Sequence, residues 1–539
     1  MVKDMKKETK KETKQSKRLG GRAGFVIGWV ALYFVIVGII CSAMQMPSAI
    51  LKMQQKSKAE SSKVILYEGP KSLKDSTRED LDSLSEDDRE FEEYAITHCV
   101  DTVVKVNGKE SYVYDTHVNN THTWKTDYYP AQERTPITYF DFDGTVQVSV
   151  EVKDIDLKAV TIRPLKYNIK PEIDVKNHRV SFYIDTPDTY TVEFNKNVKR
   201  AVHIFANEID EDAPSPDDEN VMYIGPGEWN IENIVLQDGD SVYIAGGAVV
   251  HGIVNANFAS NVKVYGRGII DGSTIRGWKG RSPRIPLKFD NCTNVTVEGV
   301  CALNANAWVF QAYDTIGGKI KNLKIISSRP NGDGISLQSC KSFKVKNSFV
   351  RSWDDSLVVK NYDENSTNIT FDNVQIWTDL AQSMEIGYET NKGQKENSKI
   401  EDISFENITV LHNFHKPVLS IHNADDALVT NIKYKNIVVE DASVGQGDGT
   451  PQLIDLGIVQ NSSWSATRER GQISNITVDG FEVLYGNDSL PSKVEGYDDQ
   501  HKVTNVTIQG LKIKGKEIKS PEEGGFVINP LSTENIVVK

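Results

Sequence analysis

The stretch NGDGISLQSCKSFKVKNSFVRSWDDSLVVK, Asn331 to Lys360, holds two short apolar runs, ISLQ from Ile335 and LVVK from Leu357. Acids stand at the mouth of each: Asp333 before the first, Asp354 and Asp355 before the second. Between them lies SFKV, which begins at Ser342. That four-residue pattern, a small polar residue followed by alternating aliphatics, recurs along the chain. It appears as NVKV at Asn261, NVTV at Asn294, NLKI at Asn322, NITF at Asn368, DISF at Asp402, NIKY at Asn431, NITV at Asn475, NVTI at Asn505 and NIVV at Asn535. Successive starts are 33, 28, 20, 26, 34, 29, 44, 30 and 30 residues apart. A second short strand follows in most units, as in MEIGY and LSIHN. A period of 20–50 residues signals stacked repeats. Several very short strands per unit, variable inserts and little helical periodicity predict a right-handed parallel β-helix over 216–539. A β-propeller would need more even four-stranded blades.

Upstream, TVVKVNG, VQVSVEV, RVSFYID and AVHIFAN alternate with period two between turn residues, which predicts a β-sandwich over 96–215. Residues 45–95 read as a polar, acid-rich linker. Residues 1–22 carry nine Lys/Arg against three acids, a net of +6; set against the whole-chain charge of −13, this leaves −19 for the remainder. So acidic a body argues against a nucleic-acid partner, which needs clustered Lys/Arg. No charge occurs between Arg22 and Lys52, and 23–44 is long and apolar enough to predict a single transmembrane helix. Lysines on its N-terminal side predict an extracellular catalytic domain anchored by one span, with secretion after signal cleavage as the alternative. The fold class expected is therefore all-β, a sandwich then a β-helix, preceded by a membrane span.

The five cysteines, Cys41, Cys99, Cys292, Cys301 and Cys340, form no CxxC pair, and no metal or other cofactor is expected. His412, His415 and His422 have no zinc-ligand spacing.

Equivalent residues of successive coils stack about 4.8 Å apart. Aligning Ile335 with Leu357 puts Asp333 and Asp355 in one column, with Asp354 one residue outside. Asp425 and Asp426 provide an internal control: that pair follows its strand, has no acid in register and reads as a turn. Three carboxyls within a few ångströms cannot all ionise cheaply, so at least one holds a proton near neutral pH. An acid to protonate a leaving oxygen, with a base to activate water, is the equipment of a glycosidase. Candidate substrate contacts around them are Trp308, Trp353, Lys360, Glu385, Tyr388 and His422.

The set NGDG followed by WDDSLVVK resembles the polygalacturonase-like glycoside hydrolases of family 28. The preceding TIRPL, VHIFAN, YIGPGEW and SVYIAGGAVVHG resemble the related dextranase and isopullulanase group of family 49, in which a β-sandwich precedes the helix. The resemblance implies an inverting hydrolase with Asp354 as general acid and Asp333 and Asp355 activating water. Two departures stand out. Gln382 occupies the position of the family's histidine, and Ser420 and His422 replace the Arg and Lys that grip a uronate carboxylate. A uronate without that clamp loses charge-assisted hydrogen bonds worth about 1.5–3 kcal/mol each. The expected substrate is thus a neutral polysaccharide or oligosaccharide. The competing expectations are a polysaccharide lyase or epimerase, and a non-catalytic glycan-binding β-helix.

Overall fold

Strict alternation builds the N-terminal sheets. The strand Val146–Val152 buries every second side chain, as a pleated ribbon with one face on a core requires. The computed structural model describes residues 52–76, 96–118, 133–153, 155–274, 284–445 and 449–539. In it, one sheet runs in the order Thr97–His98, Tyr114–Val118, Glu133–Asp143, Asn197–Asn207, Asp188–Phe194, Val160–Arg163. The other runs Lys109–Ser111, Thr102–Val106, Val146–Val152, Arg179–Ile184, Glu172–Asp174. Phe140, Phe142, Val148, Val150, Phe182 and Val192 belong to the core they share. The strand Lys63–Leu66 pairs with Glu133–Asp143, so part of the expected linker belongs to the sandwich instead. The acid-rich run of that linker lies outside the described residues.

From Met222–Ile224 to Thr533–Val538 the described strands join in one 30-stranded sheet, wound into coils. Ile316–Lys321 pairs in parallel with Lys341–Lys346, and that strand pairs with Ser366–Asp372, each one coil further on. Inward side chains stack in columns. In one, Phe371, Phe405 and Tyr434 lie ring on ring at centroid spacings of 4.9 and 5.0 Å, about one rung apart. The recurrent polar residue marks a corner. Asn261, Asn294, Ser342, Asn368, Asp402, Asn431, Asn475, Asn505 and Asn535 all have φ between 55° and 60°, the left-handed region that Asn tolerates. Several join amide to neighbour across coils, as Asn294 to Asn261 (3.0 Å) and Asn535 to Asn505 (2.8 Å).

Two expectations are corrected. Asn322 is not in that corner: register places Gly317 there, and Asn322 occupies a second corner. The uneven intervals of 28 and 20 residues thereby become 23 and 25. The expected transmembrane helix is not found. Among the described residues no helix is long and apolar enough to cross a membrane. Residues 23–44 lie outside the described residues, so the structure supplies no span for a membrane partner or a membrane-anchored location.

The sandwich packs on an outer face of the β-helix, where Tyr114, Ile137 and Phe205 meet Phe349, Trp377 and Leu411. Buried charges cross the seam. His412 donates to Glu193 (2.5 Å) and Asp441 (2.9 Å), and Arg163 donates to Glu193 (2.6 Å) and Glu440 (2.8 Å). Burial opposes ionisation of Glu193, but His412 and Arg163 outweigh it and pull the carboxyl down to about 2. A depressed carboxylate adds stability above its ordinary value of 4.5 and loses it as pH falls toward the folded value. Glu193→Gln should therefore lower the melting temperature strongly at pH 6, because it leaves two buried cations short of a partner. The gap to wild type should narrow as pH drops from about 4.5 toward 2. Melting curves across that range check it, and a gap independent of pH would contradict the linkage.

Candidate active site

The strands Ile335–Gln338, Leu357–Asn361 and Met384–Thr390 are consecutive rungs of one ladder. Ile335 lies opposite Leu357, and Leu357 opposite Met384. Asp333, Asp355 and Gln382 consequently share a column, with Trp308 one coil earlier. Ladder bonds continue into the acidic turns: Gly334 N–H donates to the Asp355 carbonyl (2.8 Å) and Ser356 N–H to that of Gln382 (2.9 Å). Gly334 is needed for this approach, since a Cβ there would lie 2.4 Å from the Ser356 carbonyl oxygen.

Beneath the acids runs a chain of buried hydroxyls. Ser352 donates to the Asp354 carbonyl (2.7 Å) and pairs with Ser356 (2.7 Å), which pairs with Thr378 (2.7 Å). Thr378 pairs with Ser383 (2.8 Å), and Ser383 donates to Asn413 (2.8 Å). Asn413 in turn donates to the Lys416 carbonyl (2.6 Å). The chain ties the Asp354 turn to the segment that carries Lys416. Hydroxyls linked in this way help to hold the acidic turn in place.

Opposite Lys360 the strand Met384–Thr390 bulges: Val359 pairs with Ile386, but Asn361 pairs with Thr390. Bulges re-aim side chains next to active sites, and here Tyr388 and Glu389 turn into the cleft. Glu389 pairs with Lys360 (3.1 Å). Gly387 opens the bulge at φ 123°, where a Cβ would strike the His422 carbonyl.

The cleft, about 220 Å³, is lined by Trp308, Asn331, Asp333, Asp354, Asp355, Lys360, Gln382, Tyr388, Glu389, Lys416, Asn461 and Trp464. Tyr388 and Asn461 also border a second hollow of about 230 Å³, lined by His422, Asp455, Lys493 and Glu495. A larger hollow of about 820 Å³ lies at the seam with the sandwich, away from the three aspartates. Convergent perturbed carboxyls, rather than size, make the smallest of these three hollows the candidate site.

Burial raises all three aspartates. Asp354 pushes Asp333 and Asp355 up further, and Lys360 opposes the rise in each. Asp354 rises least, because Lys360, the backbone N–H groups of Asp355 and Asn331, and Lys416 all favour its charge. Asp355 also accepts from the Gln382 N–H (3.0 Å). The three carboxyls therefore titrate as a set rather than singly. In the next column Glu385 is fully buried under His422, which donates to it at 2.9 Å and approaches Asp455 at 3.4 Å. Ser420 donates to the same carboxylate. Burial opposes charge on His422, yet Glu385 and Asp455 raise it to about 10. Tyr388 stacks on the imidazole at 4.5 Å.

The structure thus brings Asp333, Asp354, Asp355, Lys360, Gln382 and Tyr388 to one cleft and His422 to its extension. It corrects two expected contacts. Trp353 is 0% exposed, so its indole has no face open to a sugar, and Glu385 is likewise 0% exposed beneath His422. The sequence reasoning missed Glu389, Lys416, Asp455, Asn461 and Trp464. Asp455 was legible in principle, since it stands in register with Glu385 and Ser420. Among the described residues no group of His, Cys, Asp and Glu has metal-binding geometry.

A solved structure with the same architecture is Dex49A from Penicillium minioluteum, at TM-score 0.53 and 13% identity, covering 88% of this chain and 98% of that one. Among sequence relatives, "Probable exopolygalacturonase B" of Emericella nidulans is 25% identical over 295 residues, 50% of this chain and 63% of that protein. "Polygalacturonase" of Brassica napus is 28% identical over 145 residues, 25% of this chain and 35% of its own length. The chain thus spans less than two thirds of the length of these two sequence relatives. The family whose sequence model matches residues 248–533, more than half of the chain and the whole catalytic cleft, is glycosyl hydrolases family 28, and the chain belongs to it.

Proposed function

We propose that this cleft hydrolyses O-glycosidic bonds of a polysaccharide or oligosaccharide with inversion of configuration. Asp354 gives its proton to the leaving oxygen as the old C–O bond breaks. Asp333 and Asp355 take a proton from the water that forms the new bond on the opposite face. The observation that carries this reading is the register: two carboxyls stacked on adjacent coils, a third beside them, all raised by burial in one cleft. Asp354 is the most accessible of the three and stands next to the cations that would stabilise it after proton donation. The greater rise at Asp333 and Asp355 favours a second reading, in which one of them is the acid.

Leaving-group dependence separates the two. Asp354→Asn should lower kcat on an oligosaccharide by about 10²–10⁴-fold. It should recover most of the rate on an aryl glycoside whose leaving group needs no proton. Recovery by Asp333→Asn or Asp355→Asn instead would transfer the acid role. Proton NMR of the first-formed product reads the anomeric outcome, and absorbance from an unsaturated sugar would indicate a lyase.

For substrate class, a neutral glycan is the better match. Three of the four cations near the cleft face carboxylates already: Lys360 with Glu389, Lys493 with Glu495 (2.6 Å), His422 with Glu385 and Asp455, while Lys416 lies near Asp354. A uronate carboxylate would meet Asp455 and Glu495 there. The names of the two sequence relatives favour polygalacturonate as the other reading, and faster hydrolysis of it than of neutral glycans would overturn the first. A raised imidazole is charged below its folded value. His422 should therefore remain imidazolium at pH 8 by ring ¹⁵N shifts, and Glu385→Gln should bring its titration down toward neutrality. A neutral ring at pH 8 would contradict the committed ion pair.

A further inference from the structure

The connection between Ile454–Ile458 and Gln472–Gly486, residues 459–471, follows no repeat column, yet it is held at many points. Asn461 Oδ1 accepts from the N–H groups of Ser463 (2.8 Å) and Trp464 (3.2 Å), and Asn461 N–H donates to Ser465 Oγ (3.0 Å). The fully buried Asp425 receives the N–H groups of Ala466 (2.7 Å) and Thr467 (2.8 Å) on one oxygen. Its other oxygen faces the N–H of Thr390 (3.4 Å), next to Glu389 on the bulged strand. Arg470, also buried, donates to the carbonyls of Ala424, Thr467 and Val459, the last at 2.7 Å.

All this bonding presents one apolar side chain outward. Trp464 is 43% exposed and lines the cleft that holds the three aspartates, with Trp308 also in its wall. Ordering a loop costs conformational entropy at every residue, and the indole, 43% exposed, offsets it only in part. An indole held beside carboxyls, amides and a lysine matches a ligand with an apolar face and a polar rim. A pyranose ring has that form, with C–H bonds on its face and hydroxyls at its edge.

We propose that Trp464 is a stacking platform for a neutral pyranose unit beside the catalytic carboxyls, and that Asp425 is the positioning residue that sets the platform. The inference rests on the reading of the cleft as a glycan hydrolase site and adds to it a wall that the repeat does not supply. The pair Asp425–Asp426 is thus more than a turn: its first member fastens the strap to the strand carrying Tyr388 and Glu389.

The test uses the full chain and a panel of neutral gluco- and galacto-oligosaccharides of four to six units. On the member that wild type cleaves fastest, Trp464→Ala should raise KM about tenfold, with kcat changed far less. Trp464→Phe should restore most of the KM, and Asp425→Asn should reproduce the KM increase. Calorimetric binding of the same oligosaccharide to Asp354→Asn should weaken by a similar factor when Trp464→Ala is added. A KM within twofold of wild type in Trp464→Ala overturns the platform, even if Asp354→Asn abolishes turnover. A KM shift in Trp464→Ala alongside full activity in Asp354→Asn keeps the platform and removes the catalytic assignment. No binding of any panel member to wild type overturns the platform and the neutral-glycan reading together.

Discussion

Everything in the catalytic half depends on the rung-to-rung hydrogen bonding of parallel coils. Each strand shares its N–H groups and carbonyls between the coil before it and the coil after it, so no residue can slip along its strand without breaking a ladder. That constraint holds the Phe371, Phe405 and Tyr434 rings face to face. It also holds Asp333 over Asp355, against the repulsion that two buried carboxyls exert. The cost is met by many small terms spread over the coils, and the site inherits a rigidity that a loop-borne pair of acids would lack.

Where chemistry needs something other than a repeat, the ladder is interrupted. Gly334 permits the close approach of two acidic turns, and the bulge after Ile386 turns Tyr388 and Glu389 into the cleft. The strap at 459–471 adds a wall between two regular strands. The family's histidine and uronate clamp are replaced in the same framework by Gln382, Ser420 and His422. The column of Glu385 and His422 then becomes a buried ion pair in place of a free cationic grip.

The sandwich is more than an appendage. Its Glu193, Arg163, Asp141 and His203 meet charged partners on the β-helix in a seam with little water access. Arg351 shows the coupling most directly. It donates to Asp379 (3.1 Å) and to His203 of the sandwich (3.1 Å) from the strand Phe349–Ser352, which leads directly into the Asp354 turn. Such pairs add specificity of docking more than stability, since desolvation consumes much of their attraction.

Local patterns determined the repeat, the two-part architecture and the column that joins Asp333 to Asp355. Period-two alternation and left-handed Asn corners are properties of a few adjacent residues, visible without a fold. Asn322 was misplaced because two corners carry the same residue type, and only pairing tells them apart. Trp353 could not be separated from Trp308 and Trp464 by composition: which indole is packed and which is exposed depends on the coil's curvature and on a distant loop. Glu389, Lys416, Asp455 and Trp464 reach the cleft through a bulge, a hydroxyl chain, a neighbouring rung and a strap fastened by Asp425. Those are relations between segments far apart in sequence. The chain alone decided that carboxyls would meet; the tertiary structure decided what surrounds them, because burial and partner choice exist only once the coils have stacked.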